Sequence, residues 1–306
     1  MRAMRIHEFG GPSVIREDEV PRPDPAPGEV LVRVAATSFN PSEVGLRRGW
    51  LRSVLPVPLP YILGYDVAGT VVGLGPGVAT PALGSAVIGR LDGGAAAEYA
   101  VVPASLLVAA PASIPLAEAA ALPLAGVTAW QAVFERAGIA PNQRVLVNGT
   151  GAIGRYAVQL AKHAGAYVIA TARPAHAAPV RQLGADEVVD HTAGPPALGE
   201  PADVVLNFAA IDAGQLSAVA ANVRPGGVLV SATTGVSHLT GAPIRADHFV
   251  VRNAPDDLAA LVELVDAGTV RVEVAATRPL AELADVHRDA EAGQLPGKTV
   301  LRPAWS

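Results

Sequence analysis

Residues 144–154 read Arg144-Val145-Leu146-Val147-Asn148-Gly149-Thr150-Gly151-Ala152-Ile153-Gly154. An apolar run passes directly into the pattern G-x-G-x-x-G, and Ile153 to Ala164 then spaces its apolar residues as an amphipathic helix. Strand, glycine turn and helix in that order make a dinucleotide-binding unit. Gly149 serves the tight turn, Gly151 lets backbone approach a pyrophosphate, and Gly154 lets the helix pack on the strand. Ala152 and Ile153 open the helix, whose first amides and positive end face the phosphates. An ordinary βα turn is the competing reading, because 31 glycines will produce chance clusters. The flanking strand and helix count against it.

Working outward, the pattern repeats. Tyr167 to Thr171 is a strand, Pro174 to Leu183 a helix opened by its proline, and Glu187 to Asp190, Asp203 to Phe208 and Gly227 to Ser231 are strands. Short apolar strands alternating with helices imply a parallel sheet covered on both faces. Upstream the character changes: Val30 to Val34, Val67 to Val72 and Tyr99 to Val102 are short β-branched runs punctuated by Gly and Pro, as in a barrel or sandwich. Downstream, a helix from Pro255 to Ala267 ends at Gly268, followed by a strand (Val270 to Val274), a helix (Leu280 to Ala292) and a strand (Lys298 to Leu301).

The end of the second strand decides which dinucleotide fits. A carboxylate there would take a ribose 2′-hydroxyl, whereas an arginine suits a 2′-phosphate. The sequence is Ile169-Ala170-Thr171-Ala172-Arg173-Pro174, and the next carboxylate is Asp186. Thr171 offers a hydroxyl and Arg173 a bidentate guanidinium, which favours NADP. The bland alternative for Arg173 is a solvated loop residue.

Composition narrows the rest. The chain has 306 residues, of which 50% are hydrophobic and 17% charged, so a folded core is expected. Its net charge is −5 with no basic run, which argues against nucleic acid as a partner. Without cysteine there is no disulfide, thiol nucleophile or Cys-ligated metal. Tyr99 to Ala117 is uncharged and long enough to span a bilayer, but Pro103, Pro111 and Pro115 interrupt it, so strand and loop are expected and no membrane. The first residues lack a signal-peptide core, and a cytoplasmic location is expected. No nucleophile elbow, P-loop or H-E-x-x-H pair occurs.

Gly149 to Lys162 and Leu183-Gly184-Ala185-Asp186-Glu187-Val188-Val189-Asp190 resemble the quinone oxidoreductase branch of the medium-chain dehydrogenase/reductase superfamily. Gly28 to Val34, Asn40-Pro41, Pro60-Tyr61 with Gly64, Ala119 to Pro123, Val127 to Trp130 and Gly297 to Leu301 extend the resemblance in family order. It implies a Rossmann doubly wound parallel sheet inserted in a GroES-like, mainly β catalytic domain. Residues 1–113 with 268–306 would form the catalytic domain and 114–267 the NADP-binding domain, with the active site in the cleft between them and a homodimer as the assembly. The zinc-dependent relatives carry Cys and Gly-His-Glu where this chain has Asn40 and Gly64-Tyr65-Asp66, so a zinc-free site is expected.

The resemblance also assigns roles. Asn40 would lie beside the nicotinamide ribose and substrate, or be a satisfied loop amide. Thr128 would lie near the nicotinamide, or cap a helix. Ser42 takes the place of a proton-relay hydroxyl, or is a turn residue. Tyr65 could donate a hydrogen bond or proton to a developing enolate, or be a pocket wall. Trp50 and Tyr61 would wall an aromatic substrate slot, Trp50 alternatively being ordinary packing. His191 would stack or bond near the adenosine phosphate, or be an exposed loop histidine. Lys298 is expected to cap the last strand turn. The function implied is NADPH-dependent, zinc-independent hydride transfer to a quinone or an α,β-unsaturated carbonyl compound. A 2-enoyl-thioester reductase, or a reductase-like NADPH-binding protein with a structural or regulatory role, are the alternatives.

Overall fold

A computed structural model describes residues 1–304 apart from Val54 and Ala193. The N-terminal part supplies β1 (Arg2–Ile6), β2 (Ile15–Glu19), β3 (Glu29–Ser38), the short helix α1 (Ser42–Arg47), β4 (Tyr61–Ile62), β5 (Asp66–Leu74), β6 (Ala86–Arg90), β7 (Tyr99–Pro103) and β8 (Leu107–Ala109). Two helices follow, α2 (Leu116–Ala119) and α3 (Pro123–Trp130). The uncharged stretch from Tyr99 is therefore strand, turn and short helix. No helix among the described residues is long and apolar enough to cross a membrane.

The middle of the chain forms β9 (Arg144–Asn148), α4 (Ala152–His163), β10 (Tyr167–Ala172), α5 (Ala177–Gln182), β11 (Glu187–Asp190), β12 (Ala202–Asn207), α6 (Ala213–Ala220), β13 (Val223–Ser231) and β14 (Arg245–His248). Its six strands are parallel, in the order β11-β10-β9-β12-β13-β14. Counted within the sheet this is 3-2-1-4-5-6, the dinucleotide-binding order. Leu146, Ile169, Val205 and Leu229, one from each central strand, pack with Leu216 and Val219 of α6. The helix expected from Pro174 is split: Pro174–His176 is a single 3-10 turn and α5 starts at Ala177. Pro179 sits at the third position of α5, where a helix has no internal partner for an amide.

The chain then forms α7 (Pro255–Asp266), β15 (Ala276–Pro279), α8 (Leu283–Glu291) and β16 (Thr299–Arg302). The strand expected at Val270–Val274 is absent, and β15 lies further along. Val270 is buried, but the polar backbone of Arg271 is taken by a side chain: its amide donates to Gln159 Oε1 at 2.7 Å and its carbonyl accepts from Gln159 Nε2 at 3.2 Å. Likewise the expected helix from Leu280 begins as a 3-10 turn, Leu280–Glu282, before α8.

The chain divides into two compact units: Met1–Leu124 with Asn253–Asp266 and the residues from Val272 on, and Ala125–Arg252 with Ala267–Arg271. This differs from the expected limits at 113/114 and 267/268. Asp266 explains part of the shift, since its carboxylate accepts the amides of Ala112 (3.3 Å) and Ser113 (2.9 Å), which ties α7 to the first unit. Trp305 and Ser306, the end of the expected catalytic domain, lie outside the described residues.

Within the first unit, β3 carries a β-branched run whose alternate residues Val30, Val32 and Val34 face a core with Val67, Val71, Val87 and Val102. It pairs antiparallel with β5, β7 and β16. A second core joins Ile6, Phe39, Leu63 and Tyr65 to Leu283, Val286 and Leu301. Arg47, at the end of α1, is wholly buried: its Nε donates to His287 Nδ1 at 3.2 Å, and its terminal nitrogens reach Gly10 O and Glu291. That bond makes His287 a neutral acceptor with its proton on Nε2, an atom buried without a partner among the described residues. Burial, with Arg47 adding, pushes the imidazole down to about 3.

Candidate active site

In the second unit, β9 ends at Asn148 and the chain turns through Gly149 with φ +93°. A Cβ at Gly149 would lie 2.6 Å from the Ala209 amide nitrogen, and one at Gly154 would lie 2.0 Å from Gly149 O. Both positions admit only glycine. Gly151 differs: nothing lies within 4 Å of its would-be Cβ, and no side chain caps α4. Ala152 and Ile153 open that helix, whose first amides and positive end are left for an outside anion. The residues fit a pyrophosphate.

Thr171 is buried near the end of β10, and the exposed Arg173 follows that strand. His191 and Thr192 follow β11 and, with Asn148, Gly149, Thr171 and Ala209 among others, line a cavity of about 240 Å³. Asp190 fixes this loop by accepting the Thr192 amide and hydroxyl, both at 2.8 Å, bonds that hold its carboxyl below the usual range. Thr128, 3% exposed, is the sixth residue of α3, beyond the first turn where a cap would sit.

In the first unit, Asn40 follows β3 and is 2% exposed. Its Nδ2 donates to Asp66 Oδ2 at 2.8 Å and to Ser38 O at 3.2 Å, while its Oδ1 accepts Lys298 Nζ at 2.8 Å. Asp66, with no exposure, also accepts the Ser38 hydroxyl, the Leu124 amide (2.8 Å) and Lys298 Nζ (3.3 Å). Both side-chain N–H donors of Asn40 are therefore taken up by its own unit. Lys298 does not cap a turn at the surface. Its ammonium is buried and also reaches Phe39 O at 3.3 Å.

Glu43 completes the cluster from α1. Its carboxyl accepts the amides of Asn40 and Gly64, each at 3.1 Å, and so bridges the two loops that flank the site. Burial, with the Asp66 charge adding, pushes it up to about 8 against those two bonds. Tyr65 is 5% exposed, and its hydroxyl has no hydrogen-bond partner among the described residues. Burial, reinforced by Glu43, raises the phenol above its ordinary range. It suits a hydrogen-bond donor better than a proton source.

The other positions are more open. Ser42 is exposed at the start of α1. Tyr61 is half-buried and donates its hydroxyl to Asp92 O. Trp50 is 68% exposed, with the Arg48 guanidinium 5.3 Å from its ring centre. Sequence reasoning missed Glu43 and the burial of Lys298. The available signal was a lysine set directly before the apolar strand Thr299-Val300-Leu301, close to a buried ladder.

Residues 26–112 match the family model described as Alcohol dehydrogenase GroES-like domain, and residues 183–301 that described as Zinc-binding dehydrogenase. The chain is 33% identical over 326 residues to the chloroplast envelope quinone oxidoreductase homolog of Arabidopsis thaliana, covering 99% of this chain and 98% of that one. It is 33% identical over 318 residues to the chloroplastic NADPH-dependent alkenal/one oxidoreductase of the same plant, covering 99% and 80%. Among solved structures, the quinone oxidoreductase from Coxiella burnetii matches with a TM-score of 0.91 at 27% identity, covering 99% of both chains.

Proposed function

Because the chain belongs to the quinone oxidoreductase branch of the medium-chain dehydrogenase/reductase superfamily, we propose that it is an NADPH-dependent, zinc-independent reductase of quinones or α,β-unsaturated carbonyl compounds. One observation carries the zinc-independent part. At the positions where the zinc-dependent branch carries Gly-His-Glu, Asp66 already accepts from Asn40, Ser38, the Leu124 amide and the Lys298 ammonium. A divalent ion would have to displace a buried cation, and the neighbouring Tyr65 is a poor ligand for it. The name of the Arabidopsis alkenal/one oxidoreductase supports both NADPH and the enone class.

The cofactor, when bound, supplies the hydride. Gly149, Gly151 and Gly154 with the start of α4 would hold its pyrophosphate, Arg173 its 2′-phosphate, and His191 its adenosine end. Asn40, hydrogen-bonded to Lys298 and Asp66, would serve the nicotinamide ribose from the first unit, and Thr128 is assigned by the family resemblance to the nicotinamide end of the cofactor. Tyr65 would hydrogen-bond the oxygen that gains charge, and water would deliver the proton. Ser42, Trp50 and Tyr61 remain the substrate-side residues of this reading. The enzyme would act on small molecules as a cytoplasmic homodimer.

NADPH oxidation measured with quinones, enones and enoyl thioesters tests the assignment. Turnover of enoyl thioesters alone would favour the thioester reductase, and no turnover with any of them a non-catalytic role. Arg173→Ala is expected to weaken NADPH binding about 10- to 150-fold and leave NADH nearly unchanged, as befits an arginine–phosphate contact. Equal losses for the two would remove Arg173 from the 2′-phosphate. Tyr65→Phe is expected to lower kcat for enones about tenfold, the worth of one hydrogen bond, with a smaller effect on quinones. A change confined to KM would make Tyr65 a wall.

A further inference from the structure

Thr171 reads from sequence as a cofactor contact, yet its hydroxyl is engaged inside the second unit. It accepts the Gly149 amide at 2.9 Å and donates to Asn148 Oδ1 at 3.1 Å. Asn148 Nδ2 donates to Asn207 Oδ1 at 2.8 Å. Asn207 Nδ2 in turn reaches Thr233 Oγ1 at 3.0 Å, Ala209 O at 3.2 Å and Ser231 Oγ at 3.3 Å. Asn207 pairs with Asn148 and with Ser231 in the strand register, so the bonds run across the C-terminal ends of β10, β9, β12 and β13. Thr171, Asn148, Asn207 and Ser231 are all buried.

The direction of this ladder is fixed at one end. Ala209 O is a carbonyl and only accepts, so Asn207 must turn its NH₂ toward it and its oxygen toward Asn148. Asn148 must then present its NH₂, which leaves its oxygen for the Thr171 hydroxyl. With its proton so committed, Thr171 offers a lone pair to the Gly149 amide. Gly149 is meanwhile pressed against the Ala209 backbone, with only 2.6 Å available for a Cβ. The ladder thus starts and ends on the two backbone segments that meet at the glycine turn.

We propose that Thr171, Asn148 and Asn207 are positioning residues that set the phosphate turn, and through it the affinity for the pyrophosphate common to NADPH and NADH. This rests on the cofactor reading above. None of the three needs to touch the dinucleotide, and none distinguishes its 2′-substituent.

The test is the dissociation constant of NADPH and of NADH, followed by nicotinamide fluorescence, with the melting temperature of the unliganded protein measured alongside. Thr171→Val, which keeps the shape and removes the hydroxyl, is expected to weaken both cofactors by about tenfold and by the same factor. Thr171→Ser should restore both. Asn207→Asp keeps the size but sets an acceptor against Ala209 O, so it should weaken both alike, and it serves if the valine variant does not fold. Unchanged affinities in folded Thr171→Val and Asn207→Asp overturn the proposal. So does a loss confined to NADPH, which would make Thr171 a direct reader of the 2′-phosphate. A wild-type protein that binds neither dinucleotide removes the cofactor reading itself, and the ladder's role with it.

Discussion

Lys298→Met is expected to lower folding stability by about 3–5 kcal/mol, because it leaves a fully buried carboxylate without its counter-charge. Methionine fills the volume of the lysine stem, so the loss reports on charge more than on packing. Asp66 would keep the Ser38, Asn40 and Leu124 donors, but none of these carries a full positive charge. The double variant Lys298→Met/Asp66→Asn should therefore regain much of the loss, and urea denaturation of the four members of the cycle measures the coupling. A single variant within about 1 kcal/mol of wild type, with no recovery in the double, would mean that the Lys298–Asp66 pair contributes little.

Stability is expected to peak as a plateau between about pH 4.5 and 6.5 and to fall on both sides, through two buried groups in the first unit. The unfolded chain protonates His287 near 6.5, whereas the folded chain resists until about 3. Unfolding takes up that proton, so stability falls as the pH drops through this window. Glu43 acts in the opposite sense: the folded chain keeps its proton up to about pH 8, the unfolded chain releases it near 4.5, and stability falls as the pH rises. Each limb is worth up to about 1.4 kcal/mol per pH unit, and between 4.5 and 6.5 the two oppose each other. Asp186, Asp203 and Glu291, held below the usual carboxylate range by their hydrogen bonds and ion pairs, steepen the acid limb below about pH 4. Glu43→Gln should flatten the alkaline limb and let the acid slope run on up to about pH 6.5, and His287→Gln should leave only the carboxylate part of the acid limb and let the alkaline slope run down to about pH 4.5. Denaturation midpoints measured from pH 3 to 9 would refute this if either variant kept both slopes.

The parts of this molecule that sequence made legible are those set by near neighbours. The glycine turn could be read because 149, 151 and 154 fall within one strand–helix junction, where Gly154 packs on Gly149 O, and the parallel sheet because each strand announces itself by its own apolar run. The strand misread at Val270–Val274 shows the limit. Its alternation is sound, but the backbone at Arg271 is satisfied by Gln159, a partner 112 positions away. Lys298 is the same case with higher stakes, since its partner Asp66 is 232 positions away. Residue types singled out Asn40, but which of its atoms are already committed depends on that distant lysine. Thr171 was found for its hydroxyl, and only the direction of its hydrogen bonds shows what the hydroxyl holds.

Asp66 and Lys298 stand far apart along the polypeptide, and this has a bearing on biosynthesis. A ribosome makes residues in order, and domains fold as their segments emerge. All six strands of the second unit are complete once His248 is out, so that sheet has its full complement of partners early. The first unit begins sooner and closes later: its buried carboxylate waits for Lys298, and the end of β3 waits for β16. Until those residues are made, Thr37 and Ser38 of β3 lack their ladder partners and Asp66 lacks its counter-charge, so the last part of the first unit to close is the one that surrounds the buried ion pair.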